Sequence, residues 1–376
     1  MARLLQLLRA RRPLSPLGLM LAASVWMALL GNLPLWQTLW SLPELQHSGR
    51  WLLLAGMAVM IASATLAVLA VLAWRWTLRV AITVLLLVCA LASHYMWLYG
   101  IVVDTPMLIN VLQTDAHEAR DQIGWGLAVS VLLLAVLPAA WVWRQPVRWP
   151  RWPRQCGHNL LLVLGAVLLT LATVYVVFQD FASLMRNQLL VRYQINPLNS
   201  LYAVLDLTVI PGESPRGPLQ PLGTDARIDR TAPADKPPLL VLVLGETARS
   251  QNFSLNGYAR PTNPQLERAG VVSYRDVQSC GTSTAESLPC MFSNLGRKEY
   301  ARRSQDTENL LDVLQHAGYA VLWVDNQSGC KGLCDRVPQV NTARLQVPGM
   351  CSAGECHDEV MLHDLAQRLA QLPAQR

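Results

Sequence analysis

The sequence predicts a five-helix transmembrane domain followed by a soluble α/β domain on the far side of the membrane. Three observations carry that prediction. The 376 residues are 52% hydrophobic and only 15% charged, whereas an average soluble domain has about 25% charged residues, and the deficit lies in the first 180 residues. Arginines in that part fall almost entirely into alternate loops. Six of the eight cysteines, from Cys280 to Cys356, lie in the charged remainder.

A spanning helix requires about 20 apolar residues. Residues 14–36, 51–74, 80–103, 122–143 and 159–178 each supply such a window without a charged side chain. Windows this long exceed what a soluble core helix shows. The first is also too long for a cleaved signal peptide, and four more follow it. Orientation comes from the arginines. Arg3, Arg9, Arg11 and Arg12 precede the first window, Arg75 and Arg79 separate the second from the third, and Arg144, Arg148, Arg151 and Arg154 separate the fourth from the fifth. The opposite loops hold only Arg50 and Arg120. The N-terminus is therefore expected in the cytoplasm, and everything after about residue 180 outside it. The net charge of +6 is mostly this orientation signal and gives no reason to expect nucleic-acid binding.

Residues 181–238 form the connection. The first part, 181–209, mixes aromatics, arginines and apolar residues and predicts an amphipathic segment on the outer membrane surface. Residues 210–238 contain seven prolines and predict an extended linker. The soluble domain, 239–376, opens on Leu239–Leu244, a continuous Leu/Val run expected as a central strand buried on both faces. Further strands are expected at Val271–Val277 and Ala320–Val324, and helices at Ala285–Leu295, Thr307–His316 and Asp358–Leu372. Strands alternating with helices argue for a largely parallel sheet.

Cys89 falls inside a membrane window and Cys156 in a cytoplasmic loop. The other six sit where oxidation is permitted, so three disulfides are expected. Six cysteines allow fifteen connectivities. Sequence-adjacent pairing, Cys280 with Cys290, Cys330 with Cys334 and Cys351 with Cys356, is the expectation because each pair closes a short loop; a zinc cluster is the rival reading.

Catalytic groups of open α/β sheets gather at the carboxyl ends of strands. Glu246 stands just past the Leu239–Leu244 run, where a metal-binding carboxylate belongs; its plain alternative is a helix-start carboxylate. Thr284 opens a predicted helix, where backbone N–H groups favour an anion such as phosphate; its plain alternative is an N-cap. A threonine hydroxyl is a poor nucleophile unless a metal or base activates it.

Together, GETARSQNFSLNGYARPTNP (245–264) and SCGTSTAESLPCMFS (279–293) resemble the phosphoethanolamine transferase family that modifies lipid A, within the alkaline phosphatase and sulfatase superfamily. The resemblance implies an alkaline-phosphatase-like periplasmic domain on an inner-membrane anchor. It implies zinc as cofactor, with Glu246 as a ligand and Thr284 as both ligand and the residue that becomes modified. It also implies that a Cys280–Cys290 disulfide braces Thr284. Ser328 and Lys331 resemble residues lining the phosphate end of the substrate site. The loop MLINVLQTDAHEARD (107–121) resembles the substrate-binding segment, and its Asn110, Thr114 and Glu118 would share one helix face at i, i+4, i+8. The implied reaction moves phosphoethanolamine from phosphatidylethanolamine to lipid A through a modified threonine, in a monomer, and lowers susceptibility to polymyxins. Neither Cys280 nor Cys290 begins a sulfatase nucleophile motif, so sulfate-ester hydrolysis is not expected.

The sequence departs from the family in one respect. It contains no Asp-His-Gly motif to complete the zinc site, and His357-Asp358 and His363-Asp364 run in the reversed order and are expected to play no metal role. Glu246 and Thr284 alone are two ligands where a catalytic zinc takes at least three from protein. The expectation is a domain incomplete at its C-terminus, weak zinc binding and an inactive chain. A catalytically silent membrane protein, or a related transferase acting on core sugar or periplasmic glucan, are the alternatives.

Overall fold

The computed structural model describes residues 13–45, 49–114, 119–120, 122–209, 217–228, 239–327, 329–352 and 355–372. The chain divides into two compact units, Met1–Gly212 and Glu213–Arg376.

In the first unit five helices are long and apolar enough to cross a membrane: α1 (Pro16–Ser41), α2 (Arg50–Val71), α3 (Leu78–Tyr99), α5 (Trp125–Arg144) and α6 (Trp152–Val176). A short α4 (Thr105–Gln113) lies between α3 and α5. Each forms where the sequence supplies an uncharged window, with ends moved by the local chemistry. At the start of α1, Ser15 accepts the Gly18 N–H at 3.1 Å ahead of Pro16, a side-chain cap followed by a proline that has no N–H to lose. At the end of α3, Gly100 turns left-handed at φ 65° and donates to the Met96 carbonyl, a terminus only glycine makes cheaply.

Large apolar side chains such as Leu19, Met20, Leu69, Ile82 and Leu86 fill the core between the helices, and small and polar residues add specific contacts. A Cβ at Gly56 would stand 3.1 Å from Val177, just past α6, and 3.4 Å from Thr173 within it, so glycine there lets α2 approach the end of α6. Two turns along, Ser63 Oγ meets Thr170 Oγ1 at 2.7 Å. Pro138, inside α5, has no N–H for the carbonyl of Leu134 and sits just after a π-turn at Leu132–Val136. The Trp26 indole of α1 donates to that carbonyl at 3.2 Å, satisfying a backbone group that lipid could not. Asn32, fully buried, donates to the Met27 and Asn196 carbonyls and accepts the Asn196 N–H, all within 2.7–2.8 Å.

The segment after α6 is helical. It folds as α7 (Phe178–Asn187), α8 (Leu189–Tyr193) and α9 (Leu198–Val209) and belongs to the helical unit. Leu184 and Val191 are buried in one core with Leu35, Leu39, Met57 and Met60, and Asn199 donates to the Val103 carbonyl at 2.6 Å. Part of its apolar surface thus packs on the bundle, while Leu190, Tyr202 and Leu205 are 57–63% exposed.

The second unit also departs from the expected sheet. Leu239–Leu244 forms no strand; Leu239 through Val243 are 57–85% exposed. Residues 271–277 form none either, with Val272 81% exposed. A continuous apolar run states that both faces want covering but does not supply a hydrogen-bonding partner, and among the described residues none pairs with it. The sheet present consists of β1 (Trp323–Asp325) parallel to β2 (Gln339–Asn341) and the antiparallel pair β3 (Cys351–Ser352) and β4 (Glu355–Cys356).

Beside them lie α10 (Pro264–Arg268), α11 (Thr284–Met291), α12 (Arg297–Arg302), α13 (Leu310–His316) and α14 (Leu365–Ala370). The expected last helix is broken: a 3-10 turn covers Asp358–Leu362, and Asp364 at φ 53° resets the chain before α14. Its leucines therefore share no single stripe, and Leu362 is 67% exposed. The core of the unit is Leu288 and Phe292 around α11, Leu311 of α13, and Cys330, Leu333, Cys334 and Val337. Part of the expected linker is docked rather than extended. Gln220 pairs with Thr307 in a parallel bridge, and the Leu222 N–H donates to Glu308 Oε2 at 2.9 Å.

Candidate active site

Thr284 is the first residue of α11, and Ser283, in extended conformation, precedes it as the cap. That places the hydroxyl at the helix end where backbone donors and the dipole favour an anion. Cys280 is bonded to Cys290, tying the loop before the helix to its last turn. Pro289 lies inside this short helix, and the Phe292 carbonyl accepts the Leu310 N–H at 2.9 Å, which joins the end of α11 to the start of α13. Leu288, Cys290 and Phe292 are buried and anchor the helix in the core of the unit.

Glu246 meets Thr284 directly. Thr284 Oγ1 lies 3.2 Å from Glu246 Oε2 and 3.3 Å from Oε1, although 38 residues separate them. Thr282 is exposed, and Ser283 occupies the cap position without a side-chain cap bond. The residue that sequence reasoning missed is Thr247. It stands at φ 53°, an outlier for a β-branched side chain that costs of order 1–3 kcal/mol, and its hydroxyl donates to Glu246 Oε1 at 3.0 Å. The only signal in the sequence was its place beside Glu246.

α13 supports this platform. Asn309 Oδ1 accepts the Leu311 N–H at 2.8 Å, and Asp312 Oδ2 accepts the Asn309 N–H at 2.8 Å, a reciprocal cap. Arg336 grips Asp312 with two bonds of 2.6 Å. Burial pushes the Asp312 carboxyl up, but the Arg336 bonds and the Asn309 N–H outweigh it and hold it below the usual carboxylate range. Glu308 is likewise held low, first by the Leu222 N–H and then by His316, whose Nε2 is 2.7 Å away.

Lys331 sits at φ 50° between left-handed Gly329 and Gly332, in a loop closed by the Cys330–Cys334 bond and held by Asp325, whose Oδ2 accepts the Gly329 N–H at 3.0 Å. Ser328 lies outside the described residues. Cys351 is bonded to Cys356. In the helical unit, Asn110 lies on α4, but the helix ends at Gln113. Thr114 is extended and its hydroxyl returns to the Asn110 carbonyl at 2.8 Å, so the helical face expected for Asn110, Thr114 and Glu118 is not continuous there; Glu118 lies outside the described residues.

The metal implied by the resemblance finds only part of a site. Glu246 and Thr284 offer adjacent oxygen donors, but among the described residues no group of three or more His, Cys, Asp or Glu gathers to hold an ion. His363 Nε2 instead contacts Asp364 Oδ2 at 3.2 Å, and Asp358 Oδ1 accepts from Asn326 at 3.0 Å. The described residues do not by themselves fit a zinc ion.

Five membrane-length helices joined to a small α/β unit with a carboxylate-paired threonine at a helix start define a multi-pass membrane protein with a sulfatase-like domain. The family model described as Phosphoethanolamine transferase EptA/EptB matches residues 61–209, and the Sulfatase model matches residues 238–376. Phosphoethanolamine transferase EptA of Salmonella typhimurium is 36% identical over 96% of this chain and 67% of its own length. Phosphatidylethanolamine transferase Mcr-1 of Escherichia coli is 34% identical over 94% of this chain and 67% of its own. Among solved structures, the integral membrane lipooligosaccharide phosphoethanolamine transferase A of Neisseria meningitidis superposes with a TM-score of 0.85 at 33% identity, covering 94% of this chain and 66% of that one. The chain belongs to the phosphoethanolamine transferase family and spans about two thirds of the length of these relatives.

Proposed function

We propose that this protein moves phosphoethanolamine from phosphatidylethanolamine to lipid A, with Thr284 as the residue that carries the group between them. The observation that supports this most directly is the 3.2–3.3 Å contact of the Thr284 hydroxyl with both oxygens of Glu246. In the first half-reaction Thr284 Oγ1 attacks the phosphorus of the donor. A P–O bond to threonine forms, the P–O bond to diacylglycerol breaks, and the diacylglycerol oxygen leaves with a proton. Glu246 is the group in contact with the hydroxyl proton and would hold it as the new bond forms. The N-terminus of α11 favours the phosphoryl charge, and Lys331 is assigned to the phosphate end of the substrate. In the second half-reaction a lipid A phosphate oxygen attacks the same phosphorus and releases Thr284.

Zinc is the metal proposed for the Glu246–Thr284 pair, with further ligands that the described residues do not provide. Asn110, Thr114, Glu118 and Ser328 are proposed for substrate binding, with a monomeric chain in the inner membrane. The arginine distribution supports a cytoplasmic N-terminus and a periplasmic second unit. Adding an ethanolamine cation to lipid A lowers its negative charge, so cationic peptides such as polymyxins would bind it less well.

The test is mass analysis of the chain joined to a family-like C-terminal segment that supplies the remaining zinc ligands, reconstituted in phosphatidylethanolamine vesicles with Zn²⁺ supplied. One phosphoethanolamine should appear on Thr284, survive Thr282→Ala and Ser283→Ala at least in part, and vanish in Thr284→Ala. An adduct on Thr282 or Ser283, or none at all, contradicts the reading.

A further inference from the structure

We propose that Thr247 is a positioning residue whose hydroxyl, carried on a left-handed backbone, fixes the Glu246 carboxylate against the Thr284 hydroxyl. The proposal rests on the reading of Thr284 as the carrier of the transferred group. Its starting point is a conflict at one position. The backbone at residue 247 has φ 53°, a conformation glycine adopts freely and a β-branched residue resists. The site nevertheless holds threonine, so the side chain must supply something glycine cannot.

What it supplies is a hydrogen bond back to its neighbour. Thr247 Oγ1 donates to Glu246 Oε1 at 3.0 Å. The same oxygen stands 3.3 Å from Thr284 Oγ1, and Oε2 stands 3.2 Å from it. Glu246 follows the apolar run 239–244 and its side chain is exposed. A glutamate with that freedom samples several rotamers unless something holds it. Thr247 fixes one oxygen, the carboxylate plane is set, and the other oxygen is aimed at Thr284. Local strain maintained at a functional group is a recognised way of storing such preorganisation. Thr247 touches neither the phosphorus nor the leaving group, so its effect passes through Glu246.

The experiment uses the chain joined to the same family-like C-terminal segment, in phosphatidylethanolamine vesicles with Zn²⁺, and follows the initial rate at which phosphoethanolamine appears on Thr284. Thr247→Gly relaxes the backbone and removes the hydroxyl, Thr247→Val keeps the shape and removes the hydroxyl, and Thr247→Ser keeps the hydroxyl. Gly and Val should each be slower by about tenfold, the scale of a lost hydrogen bond to a charged group, whereas Ser should restore the rate to within about twofold, well inside that loss. Disulfide mapping without reduction verifies that each variant keeps its three cross-links. A parental rate in Thr247→Gly, or a Ser variant as slow as the Gly variant, overturns the role of the hydroxyl. If the adduct depends on Thr284 and Glu246 while all three Thr247 variants match the parent, only this proposal fails. If the unsubstituted chain forms no adduct, or forms it in Thr284→Ala, the transfer reading fails and this proposal with it.

Discussion

Removing the Asp312 carboxylate should loosen the platform beneath Thr284. The Asp312 side chain is 5% exposed and Arg336 is 37% exposed. Loss of an N-terminal cap costs about 1 kcal/mol. Breaking a fully buried ion pair costs about 3–5 kcal/mol, but a solvent-exposed pair contributes about 0–1 kcal/mol. With one partner wet, about 1–2 kcal/mol is reasonable for this pair. Asp312→Ala should therefore cost about 2–3 kcal/mol in the opening of α13, and about 2 kcal/mol is already about 30-fold in an equilibrium constant. Hydrogen exchange of the full chain in detergent, read peptide by peptide, measures it. Amides of α13 should exchange about 30-fold faster. Those of α11 should follow, because the Leu310 N–H is bonded to the Phe292 carbonyl and Leu311 packs with Leu288 and Phe292. Peptides from α2 and α6 serve as the unaffected reference. The effect has a pH signature. The folded Asp312 carboxyl is held below its ordinary value, so its stabilisation is complete above the unfolded value near pH 4. It is lost as pH falls through the lower folded value, and Asp312→Ala should lack that step. Faster exchange in α13 with α11 unmoved would refute the coupling, and no change in either would refute the cap.

The remaining predictions are independent of one another. Reporters fused after Arg79 or Arg154 should report cytoplasm and one fused after Pro238 should report the opposite side; a cytoplasmic signal after Pro238 would overturn five crossings. Digestion without reduction should release three separate linked peptides joining Cys280 to Cys290, Cys330 to Cys334 and Cys351 to Cys356, and Cys280→Ser should destabilise the Thr284 loop by about 2–3 kcal/mol, seen as faster local exchange. Glu308→Gln should release residues 217–228 from α13, measured as faster proteolysis there. In the parent chain that contact should weaken only in acid, as pH falls through the lowered Glu308 value. Gly56→Val should disrupt the α2–α6 contact, because its first side-chain carbon already stands 3.1 Å from Val177; a lowered melting temperature in detergent measures it.

The sequence alone determined the membrane part, because a long uncharged helix satisfies its own backbone and needs no partner to be specified. Position made Glu246 and Thr284 candidates, the resemblance of their two motifs implied their roles, and the sequence placed six cysteines in one unit. It could not determine the sheet. Leu239–Leu244 declares two faces to be covered, but strand pairing is a contact between distant segments, and the chain left that run exposed while pairing Trp323–Asp325 with Gln339–Asn341. It could not show that Leu184 and Val191 pack into the bundle, that Gln220 and Leu222 dock on the 306–308 segment, or that Thr114 leaves the helix carrying Asn110. Nor could it bring a carboxylate within 3.2 Å of a hydroxyl 38 residues away or reveal the left-handed turn at Thr247. Each of these is set by a backbone angle or by a contact between segments far apart in the chain, and neither is written in the periodicity or composition of any one stretch.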